Sequence, residues 1–304
     1  MKAPVSVLIL AYNEELNLPD CLASATELSD DVHVVDSFST DQTVEIAKRY
    51  DARVVQHAFA YPAQQKNWAL DNLPFKYEWL LVLDADERVP EDLRAEIADV
   101  VRADGYGKDG FWMRYRLMFY GKWIRHCGWY PTWILRLVRR GKVHWEDRPV
   151  DEHAVVAGSV GRLQHDIIHE SLRDMDFWIA KHNVYSGHTA RIYASAGGEP
   201  ADGITASWLG NQAERKRFIK QHIWPHLPGR AFFFFLYMYF FRLGFLDGRH
   251  GFHFCVMHAI FQQFVVVKQW EQKHYKQTSA ENTARLAETP DSSPCVDTLV
   301  SRGA

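Results

Sequence analysis

The sequence predicts an α/β fold in which a parallel sheet carries helices on both faces. Short apolar runs alternate with amphipathic stretches through residues 4–104, a pattern typical of strand–helix–strand units. Four of the five residues in the run 79–83 are aliphatic, as expected of a strand buried on both faces. The 304 residues, 47% of them apolar, are enough for one large α/β domain with an appendage.

The elements of this first half can be placed in order. We predict strands at 5–10, 31–35, 53–56 and 79–83, and helices at 15–25, 39–50, 62–72 and 90–102. Asn13 is a possible cap of the first helix, and Pro90 suits the first turn of the last one. Ligands of such sheets bind at the carboxyl ends of the strands. Because Asn13, Asp36 and Asp84 each follow a predicted strand, we expect them to share one crevice.

The pattern changes after residue 105. Strands at 111–119, 133–138, 143–145 and 153–163 are expected to form a more mixed, antiparallel region, followed by a long helix at 171–194. From about residue 278, Ser, Thr, Ala and Pro with scattered acids predict a disordered tail. The predicted domains are therefore 1–195 (halves 1–104 and 105–195), a helical extension 196–277, and the tail 278–304.

Two carboxylates, Asp84 and Asp86, stand one residue apart where the strand 79–83 leaves the core. Side chains at i and i+2 of an extended chain point the same way, so both carboxylates can face one point. Hard oxygen donors of this kind suit Mg²⁺ or Mn²⁺, which take their other ligands from phosphate and water. The alternative is a solvated turn whose acids have no chemical role, and this short motif alone does not decide between the two.

Charge and cysteine usage exclude several classes of protein. The net charge of −3 argues against a general nucleic-acid binder. The four cysteines are far apart in sequence and form no Cys-x-x-Cys, which fits a reducing compartment without a disulfide framework or a zinc ribbon. The apolar run 5–12 meets Glu14 and Glu15 without a small-residue cleavage site, so it is interpreted as a first strand and not a signal peptide.

Four ordered segments together resemble family 2 glycosyltransferases of the GT-A fold, in the branch that builds bacterial lipopolysaccharide cores and exopolysaccharides. They are residues 5–15, 34–41, 65–67 and 83–87, and the likeness extends over roughly residues 4–195. The resemblance implies a Rossmann-like nucleotide-binding half, a mixed-sheet acceptor half, and a C-terminal aromatic and basic helical extension.

The resemblance also implies a nucleotide-sugar site. The backbone of residues 11–14 would face the base and ribose, Asp36 would accept a hydrogen bond from the base, and Lys66 would lie near the diphosphate. The alternatives are a turn acid that caps a helix for Asp36 and an ordinary solvated lysine for Lys66. The full set of residues expected at the nucleotide is Ala11, Tyr12, Asn13, Glu14, Asp36, Lys66, Asp84, Ala85, Asp86 and Arg136.

A metal site is implied by the same likeness. Asp86 would bind Mg²⁺ or Mn²⁺ directly, and Asp84 would touch the ribose or a metal-bound water. His169, in a segment similar to the family's closing His motif, would bind the metal or the diphosphate; the alternative is a histidine that only makes hydrogen bonds within the protein. Such a cation stabilises the negative charge that develops on a departing diphosphate.

An inverting transfer also needs a base, because the acceptor hydroxyl loses its proton on the face of the sugar opposite the nucleotide. The segment 145–153 offers four acids within seven residues, and its Val-Asp-Glu run is similar to an acidic motif of the family. We predict Glu152 as the base, with Asp151 as the second candidate, since many relatives carry a His where Asp151 stands. The alternative is a charged β-turn.

The segment 214–275 is aromatic and basic. Eleven Phe or Tyr lie between residues 231 and 254, and residues 214–250 carry seven Lys or Arg against two acids. The eleven unbroken apolar residues 231–241 are too few to span a bilayer core of ~30 Å. Such a segment suits the headgroup boundary of an anionic leaflet, and this suggests a lipid-linked acceptor. The alternative is an aromatic helix packed on the catalytic domain or on a second subunit of a homo-oligomer.

The sequence therefore predicts an inverting, metal-dependent glycosyltransferase at the inner face of the cytoplasmic membrane. It would move a sugar from a nucleotide donor, expected to be UDP-linked, to a hydroxyl of a lipid-linked or cell-surface glycan. A nucleotidyltransferase also uses a doubly wound sheet, but it needs a Gly-rich basic loop where this chain has Tyr-Asn-Glu-Glu. A non-catalytic membrane scaffold is disfavoured because Asp36, Asp84 and Asp86 are retained.

Overall fold

The computed structural model describes residues 2–146, 154–194, 224 and 227–288, with residues 194 and 276–288 described by their backbone alone. The chain forms two compact units. One comprises residues 1–179 and 233–258, and it contains the sheet and the candidate site. The other comprises residues 180–232 and 259–304.

The described strands and helices follow in chain order. The strands are β1 (Val5–Ala11), β2 (Val32–Asp36), β3 (Arg53–Gln56), β4 (Trp79–Asp84), β5 (Glu87–Arg88), β6 (Gly110–Phe119), β7 (Lys122–Trp123), β8 (Thr132–Arg139), β9 (Val143–Trp145), β10 (Ala154–Val156) and β11 (Val160–Glu170). The helices are α1 (Leu18–Leu28), α2 (Thr43–Arg49), α3 (Pro62–Asn72), α4 (Glu91–Arg102), α5 (Met175–Ala194), α6 (Arg230–Leu236) and α7 (Gly248–Glu288).

Nine of the described strands form one sheet in the order β3-β2-β1-β4-β8-β6-β11-β5, with β7 paired to β6. Strands β1 to β4 run parallel, whereas β8 runs antiparallel to both β4 and β6. From β1 the chain adds β2 and β3 on one side of the sheet and then β4 on the other side. This reversal of the strand order opens a crevice at the carboxyl ends of β1 and β4. The predicted parallel half and mixed half are both confirmed.

The core lies on both faces of the sheet, as the aliphatic run in β4 predicts. Leu81 and Leu83 join the buried cluster that also contains the inner faces of α1 and α4. Leu80 and Val82 join a second buried cluster on the opposite face, against α3. Because side chains alternate along a strand, one continuous apolar run supplies both clusters.

The strand predicted at 153–163 is wrong in its bounds. It is two strands, β10 and β11, and β11 continues to Glu170 beyond the predicted end. Residues 164–166 are polar, so the apolar pattern that predicts a strand stops before this extension. Tertiary pairing explains it, since β11 lies between β6 and β5 and bonds to both.

Three helices start later than predicted because side chains use the preceding residues. Asn13 does not cap α1; its φ is +53° and its Oδ1 accepts a hydrogen bond from the N–H of Thr40 at 2.8 Å. α2 starts at Thr43, whose N–H donates to Asp41 at 3.0 Å. α5 starts at Met175, after Asp174 accepts a hydrogen bond from the N–H of Phe177 at 2.9 Å.

The predicted domain boundaries around the C-terminal aromatic segment differ from the boundaries of the two units. Residues 233–258 belong to the unit that holds the sheet, so the boundary at 195 and the extension 196–277 do not match the two units. The reason is a buried cluster in which Ile124 and Cys127 pack against Met238, Phe254 and Cys255. The inner face of this segment therefore packs on the unit that holds the sheet, as one of the alternatives above predicts.

Other features of the segment support this packing. A 3-10 turn at Gly244–Asp247 precedes α7, and Asp247 accepts a hydrogen bond from the N–H of His126 at 2.8 Å. The Sγ atoms of Cys127 and Cys255 are 3.5 Å apart, and the described cysteines form no disulfide. The backbone of α7 also runs to Glu288, so residues 278–288 are helical and not tail; residues 289–304 lie outside the described part.

A substitution at Gly251 tests whether α7 packs closely against the 3-10 turn. A Cβ at this position would overlap the carbonyl oxygen of Gly244, which is backbone and cannot swing away. We expect Gly251→Ala to lower the free energy of unfolding by about 1–3 kcal/mol through overpacking. The measurement is equilibrium unfolding in urea.

Gly187 in α5 is the matched control, because a Cβ there has its nearest neighbour 3.7 Å away at the flexible end of Lys268. Gly187→Ala is expected to raise stability by about 0.5–1 kcal/mol, the usual helix-interior gain. Equal stability of Gly251→Ala and the wild type would show that the turn does not pack as described.

Candidate active site

Two predicted site residues end strands on either side of β1. In register, Leu10 of β1 pairs with Asp84 of β4, and Ala11 pairs with Asp36 of β2. Asn13 follows β1 by two residues and ties the two loops together, since its N–H donates to the Ser39 hydroxyl at 2.8 Å. The expected crevice therefore contains Asn13, Asp36 and Asp84 at one edge of the sheet.

Asp36 is fully buried and is bonded within the protein. Its Oδ2 accepts hydrogen bonds from the N–H of Ser39 at 3.1 Å and from Gln56 Nε2 at 3.0 Å. Asp36 thus holds the turn after β2, which is the capping role left open by the sequence. Its contact with a nucleotide base stays a prediction. Nearby, Tyr12 is exposed at the end of β1, while Ala11 is buried.

The first acid of the motif, Asp84, forms an ion pair with Arg136 of β8. The Asp84 side chain remains 42% exposed, whereas that of Arg136 is 12% exposed. The partial desolvation of Asp84 by the surrounding protein opposes its ionisation, but the charges of Arg136 and Lys66 outweigh it and hold the pKa of this carboxyl well below its usual range. Asp84 is therefore ionised at neutral pH.

Glu87, which the sequence analysis did not single out, completes this ion network. Its Oε1 accepts a hydrogen bond from Arg136 Nη2 at 2.6 Å, and its Oε2 accepts one from the N–H of Asp84 at 2.9 Å. Burial raises the pKa of Glu87 to about 7, although the Arg136 guanidinium opposes the shift. A buried carboxylate needs such a partner, and this explains why β8 places an arginine here.

A β-bulge aims Arg136 at the two acids. Phe111 of β6 pairs with Leu137, but the next residue Trp112 pairs with Leu135, so Arg136 is the additional residue on β8. Leu135 and Leu137 consequently face opposite buried clusters although they are two residues apart. Bulges re-aim side chains in this way next to functional sites. A diphosphate contact by Arg136 stays a prediction, because the described structure uses its guanidinium for Asp84 and Glu87.

Asp86 turns toward β11. β4 ends at Asp84, and the buried Ala85 forms a turn with Asp86, so the predicted i and i+2 extended geometry does not continue through the motif. β5 then pairs with β11, with Glu87 opposite His169. As a result, His169 Nδ1 lies 3.4 Å from Asp86 Oδ1. The two acids of the motif therefore contact different partners.

The donor atoms at this site fit a hard divalent cation. Asp86 is 18% exposed and offers carboxylate oxygens beside the imidazole of His169. In the described ranges, no three His, Cys, Asp or Glu side chains converge closely enough to hold a metal ion unaided. Mg²⁺ and Mn²⁺ commonly use one or two protein carboxylates and complete their shell with phosphate and water. The predicted roles of Asp84, Asp86 and His169 are compatible with this chemistry.

The segment 65–67 lies beneath the same crevice. Lys66 is only 5% exposed, so the solvated-lysine alternative is wrong; its Nζ lies 5.7 Å from the Trp145 ring. Asn67 bonds the backbone of Trp145 twice, once through Oδ1 and once through Nδ2, both at 2.8 Å. α3 therefore anchors the end of β9 close to the charge of Asp84.

The predicted bases Asp151 and Glu152 lie outside the described residues. The chain on both sides of them is described, since Trp145 of β9 pairs with Ala154 of β10. The segment that contains both acids thus starts and ends at a two-stranded ribbon held by Asn67.

A second charged pair, Glu14 with Arg173, borders the site. Glu14 Oε2 accepts a hydrogen bond from Asn17 Nδ2 at 2.7 Å and lies 3.5 Å from Arg173 Nη2. Burial raises the pKa of Glu14, and the nearby charge of Asp86 adds to the rise. Arg173 carries no motif signal in the sequence, because only the course of β11 brings it back to the first loop.

Comparison with known proteins identifies the family. Residues 6–152 match the family profile described as Glycosyl transferase family 2. A lipopolysaccharide core biosynthesis glycosyltransferase, LpsC of Rhizobium meliloti, is 31% identical over 211 residues, which are 66% of this chain and 75% of that protein. The chain belongs to glycosyltransferase family 2. This glycosyltransferase is therefore an enzyme, and the nucleotidyltransferase and non-catalytic scaffold alternatives are set aside.

Other relatives agree with this membership. An uncharacterised glycosyltransferase of Rickettsia typhi is 36% identical over 93 residues, 31% of each chain. The mannosyltransferase PcManGT of Pyrobaculum calidifontis, solved with GDP-Man and Mn²⁺, has a TM-score of 0.50 at 15% identity and covers 90% of this chain and 89% of its own. That likeness shows the fold, and the predicted GT-A architecture is confirmed.

Arg136→Ala tests the ion network. It leaves the buried Glu87 carboxylate without its cation, and we expect the free energy of unfolding at pH 8 to fall by about 3–5 kcal/mol. In the wild type, the pKa of Glu87 is about 7 in the folded chain against an ordinary 4.5, so its proton favours folding at low pH and that gain is lost as the pH rises through 7. Removal of Arg136 raises this pKa further, so the damage is expected to be smaller at pH 5.

Urea unfolding at both pH values measures the effect. Arg139→Ala is the control on the same strand, because its partners Glu78 and Asp104 are 80% and 76% exposed. It is expected to cost no more than about 1 kcal/mol. A loss for Arg136→Ala that is equal at pH 5 and pH 8 would contradict the assignment of Glu87 as the titrating partner.

Proposed function

We propose that this glycosyltransferase inverts its donor sugar, depends on a divalent cation, and uses a UDP-sugar. The acceptor would be a hydroxyl of a glycan of the lipopolysaccharide-core type, carried on a lipid at the cytoplasmic face of the membrane. The observation that carries the proposal is the group of Asp84, Asp86 and His169 at the end of β4, beside the loops that follow β1 and β2.

The donor nucleotide would lie over the carboxyl ends of β1 and β2. The exposed ring of Tyr12 and the left-handed turn at Asn13 leave this edge open to a base and ribose. Hydrogen bonds from the loop after β2 fix the turn, so its geometry is set before the donor binds. Lys66, buried below, supplies a fixed positive charge near the position of the diphosphate.

Asp86 and His169 would hold the cation, with Asp84 nearby at the ribose or at a metal-bound water. When bound, a divalent cation supplies charge neutralisation for the departing diphosphate. Asp86 can fulfil this role because its carboxylate is tied to no arginine among the described ion pairs, in contrast to Asp84. The pairing of Asp84 with Arg136 keeps the first acid ionised and fixed in position.

The acceptor hydroxyl would lose its proton to Glu152, with Asp151 as the second candidate. The support is positional: the segment that contains both leaves the ribbon next to Trp145, whose ring lies beside Lys66. A base in this segment would approach the sugar from the side of α3. An attack from that side, in line with the departing nucleotide, gives inversion.

Membrane contact would come from the outer face of the segment 240–246. Phe240, Phe241 and Leu246 are 52%, 79% and 56% exposed, while Gly244 is buried. Arg242 and Arg249 are exposed close by in sequence and suit anionic headgroups. In the described chain, Gly244–Tyr275 is the one helical stretch whose length and composition would let it cross a membrane, and core helices pass the same test.

Asp86→Asn removes the carboxylate charge but keeps the size of the side chain. We expect Mn²⁺-dependent hydrolysis of UDP-sugars to fall at least about a hundredfold, because stabilisation of the leaving group is lost. Thermal unfolding should be unchanged. Asp99→Asn, an exposed acid on α4, is the control and should retain full activity. Activity of Asp86→Asn equal to the wild type, or hydrolysis that ignores EDTA, would refute the metal role.

Phe241→Ser combined with Leu246→Ser tests the membrane face. Loss of two exposed apolar side chains should reduce co-sedimentation with vesicles that contain phosphatidylglycerol by about tenfold or more. Tyr106→Ser, which changes a 69% exposed ring in the turn after α4, should not alter it. If the double variant still binds vesicles but changes its oligomeric state by light scattering, the face is a subunit contact.

A further inference from the structure

The acceptor half carries a group of arginines stacked on tryptophans that the mechanism above does not use. The Arg114 and Arg162 guanidinium carbons lie 5.5 and 4.9 Å from the centre of the Trp133 ring. We call the whole group the arginine–tryptophan face. Its members are Arg114, Arg116, Trp123, Arg125, Trp133 and Arg162.

The second tryptophan repeats this arrangement. Trp123 has two guanidinium neighbours, with Arg116 at 4.9 Å and Arg125 at 4.3 Å from its ring centre. Each such contact on a partly exposed ring is worth about 0.5–1 kcal/mol. The rings thus hold four like charges close together and restrict their motion.

One buried acid joins the two halves of the face. Asp166 is 2% exposed; its Oδ1 accepts a hydrogen bond from Arg114 Nε at 2.7 Å, and its Oδ2 accepts one from Arg116 Nε at 3.0 Å. Tyr130 also donates its hydroxyl hydrogen to Oδ2 at 2.9 Å. Asp166 neutralises one of the four arginine charges and leaves a surplus of three.

The outer arginines carry that surplus. Arg125 and Arg162 are exposed, and neither forms a hydrogen bond or an ion pair with another residue in the described ranges. Their contacts are with the tryptophan rings. A guanidinium that lies on a ring still presents its N–H edge, which matches the oxygens of a phosphate or a carboxylate.

The face lies on the side of the sheet from which the proposed base would act. In register, Arg114 of β6 is opposite Trp133 of β8 and Asp166 of β11. Trp112, two residues before Arg114, packs in the same buried cluster as Trp145 and the ribbon of β9 and β10. Side chains two residues apart on a strand share a face. The arginine–tryptophan face and the ribbon of β9 and β10 are therefore on one side of the sheet.

Residues of the candidate site follow the face on two of the same strands. Trp133 precedes Arg136 by three residues on β8, and Asp166 precedes His169 by three residues on β11. At the usual rise of a strand, three residues correspond to about 10 Å. An odd number of residues turns the side chains to opposite faces of the sheet, so an acceptor held on this face would reach the candidate site around the carboxyl edge of the strands.

We propose that the arginine–tryptophan face is a subsite for an acceptor saccharide that bears phosphate or carboxylate groups. The assignment rests on the proposed function, since it assigns the anionic part of the acceptor to the side of the sheet that carries Lys66 and Trp145. Three surplus charges held in fixed positions favour a polyanionic saccharide over a neutral one. The subsite selects and orients the acceptor and takes no part in bond breaking.

Variants of the outer arginines test this subsite without disturbing Asp166. The probe is trehalose 6-phosphate, with trehalose as its neutral counterpart, and binding to the full chain is followed by saturation-transfer NMR titration. Loss of two charge-assisted contacts in Arg125→Gln/Arg162→Gln should weaken binding of the phosphate at least about tenfold. Trehalose should bind at least about tenfold more weakly than its phosphate to the wild type.

The control removes two exposed cations elsewhere, Lys48→Gln/Arg49→Gln on α2, and should bind the phosphate as the wild type does. Thermal unfolding confirms that each variant is folded, and the single variants Arg125→Gln and Arg162→Gln replace the double variant if it is not. Metal-dependent hydrolysis of UDP-sugars, which needs no acceptor, should be unchanged in every arginine variant. If the wild type hydrolyses no UDP-sugar, the proposed function fails, and the binding titration still decides on the subsite.

Three results would overturn the subsite. They are no binding of trehalose 6-phosphate to the wild type, equal binding to the Arg125→Gln/Arg162→Gln variant, and equal binding of trehalose. Vesicles that contain phosphatidylglycerol provide a separate arm. If the double variant loses vesicle binding but keeps saccharide binding, the face contacts anionic lipid and the proposal is wrong.

Discussion

The buried guanidinium of Arg136, held between Asp84 and Glu87, is the interaction on which the candidate site depends. Removal of several charged groups from water is costly unless each finds a partner with good geometry. Here one cation serves two carboxylates, and the N–H of Asp84 bonds to Glu87 as well. The network links β4, β5 and β8, so the strand end that carries the motif is fixed before any ligand binds.

This network separates the tasks of the two motif acids. Asp84 is tied to a permanent cation, which holds it ionised, whereas Asp86 has turned with the chain toward His169. A carboxylate locked to an arginine is a poor ligand for a metal, and one beside an imidazole is a better one. This difference supports the proposal that Asp86 is the direct ligand, with Asp84 and Arg136 in a positioning role.

The second half of the chain adds two partly exposed surfaces to the unit that holds this network. The aromatic segment buries one face against Ile124 and Cys127 and leaves Phe240, Phe241 and Leu246 exposed. The sheet itself carries arginines stacked on tryptophans, on two of the strands that also carry Arg136 and His169. An apolar surface and a cationic surface on one unit agree with the proposed acceptor, which has a lipid end and an anionic glycan end.

The likeness to a glycosyltransferase family and the parallel half of the fold could be predicted because they are local properties of the chain. Aliphatic runs, their spacing, and the acids just after them depend only on neighbouring residues. The same local pattern predicted that Asn13, Asp36 and Asp84 share a crevice, and the parallel register of β1, β2 and β4 confirms it.

The remaining features depend on contacts between residues far apart in sequence. Glu87 and Arg173 gave no signal in the sequence, because their partners Arg136 and Glu14 are far from them along the chain. Only the folded course of β8 and β11 brings these residues together. The bulge at Arg136, the extension of β11 to Glu170, and the packing of residues 233–258 on the sheet unit have the same origin. Sequence patterns record which face of an element is apolar. Only the tertiary structure decides which distant element covers that face, and therefore which charges come to lie together.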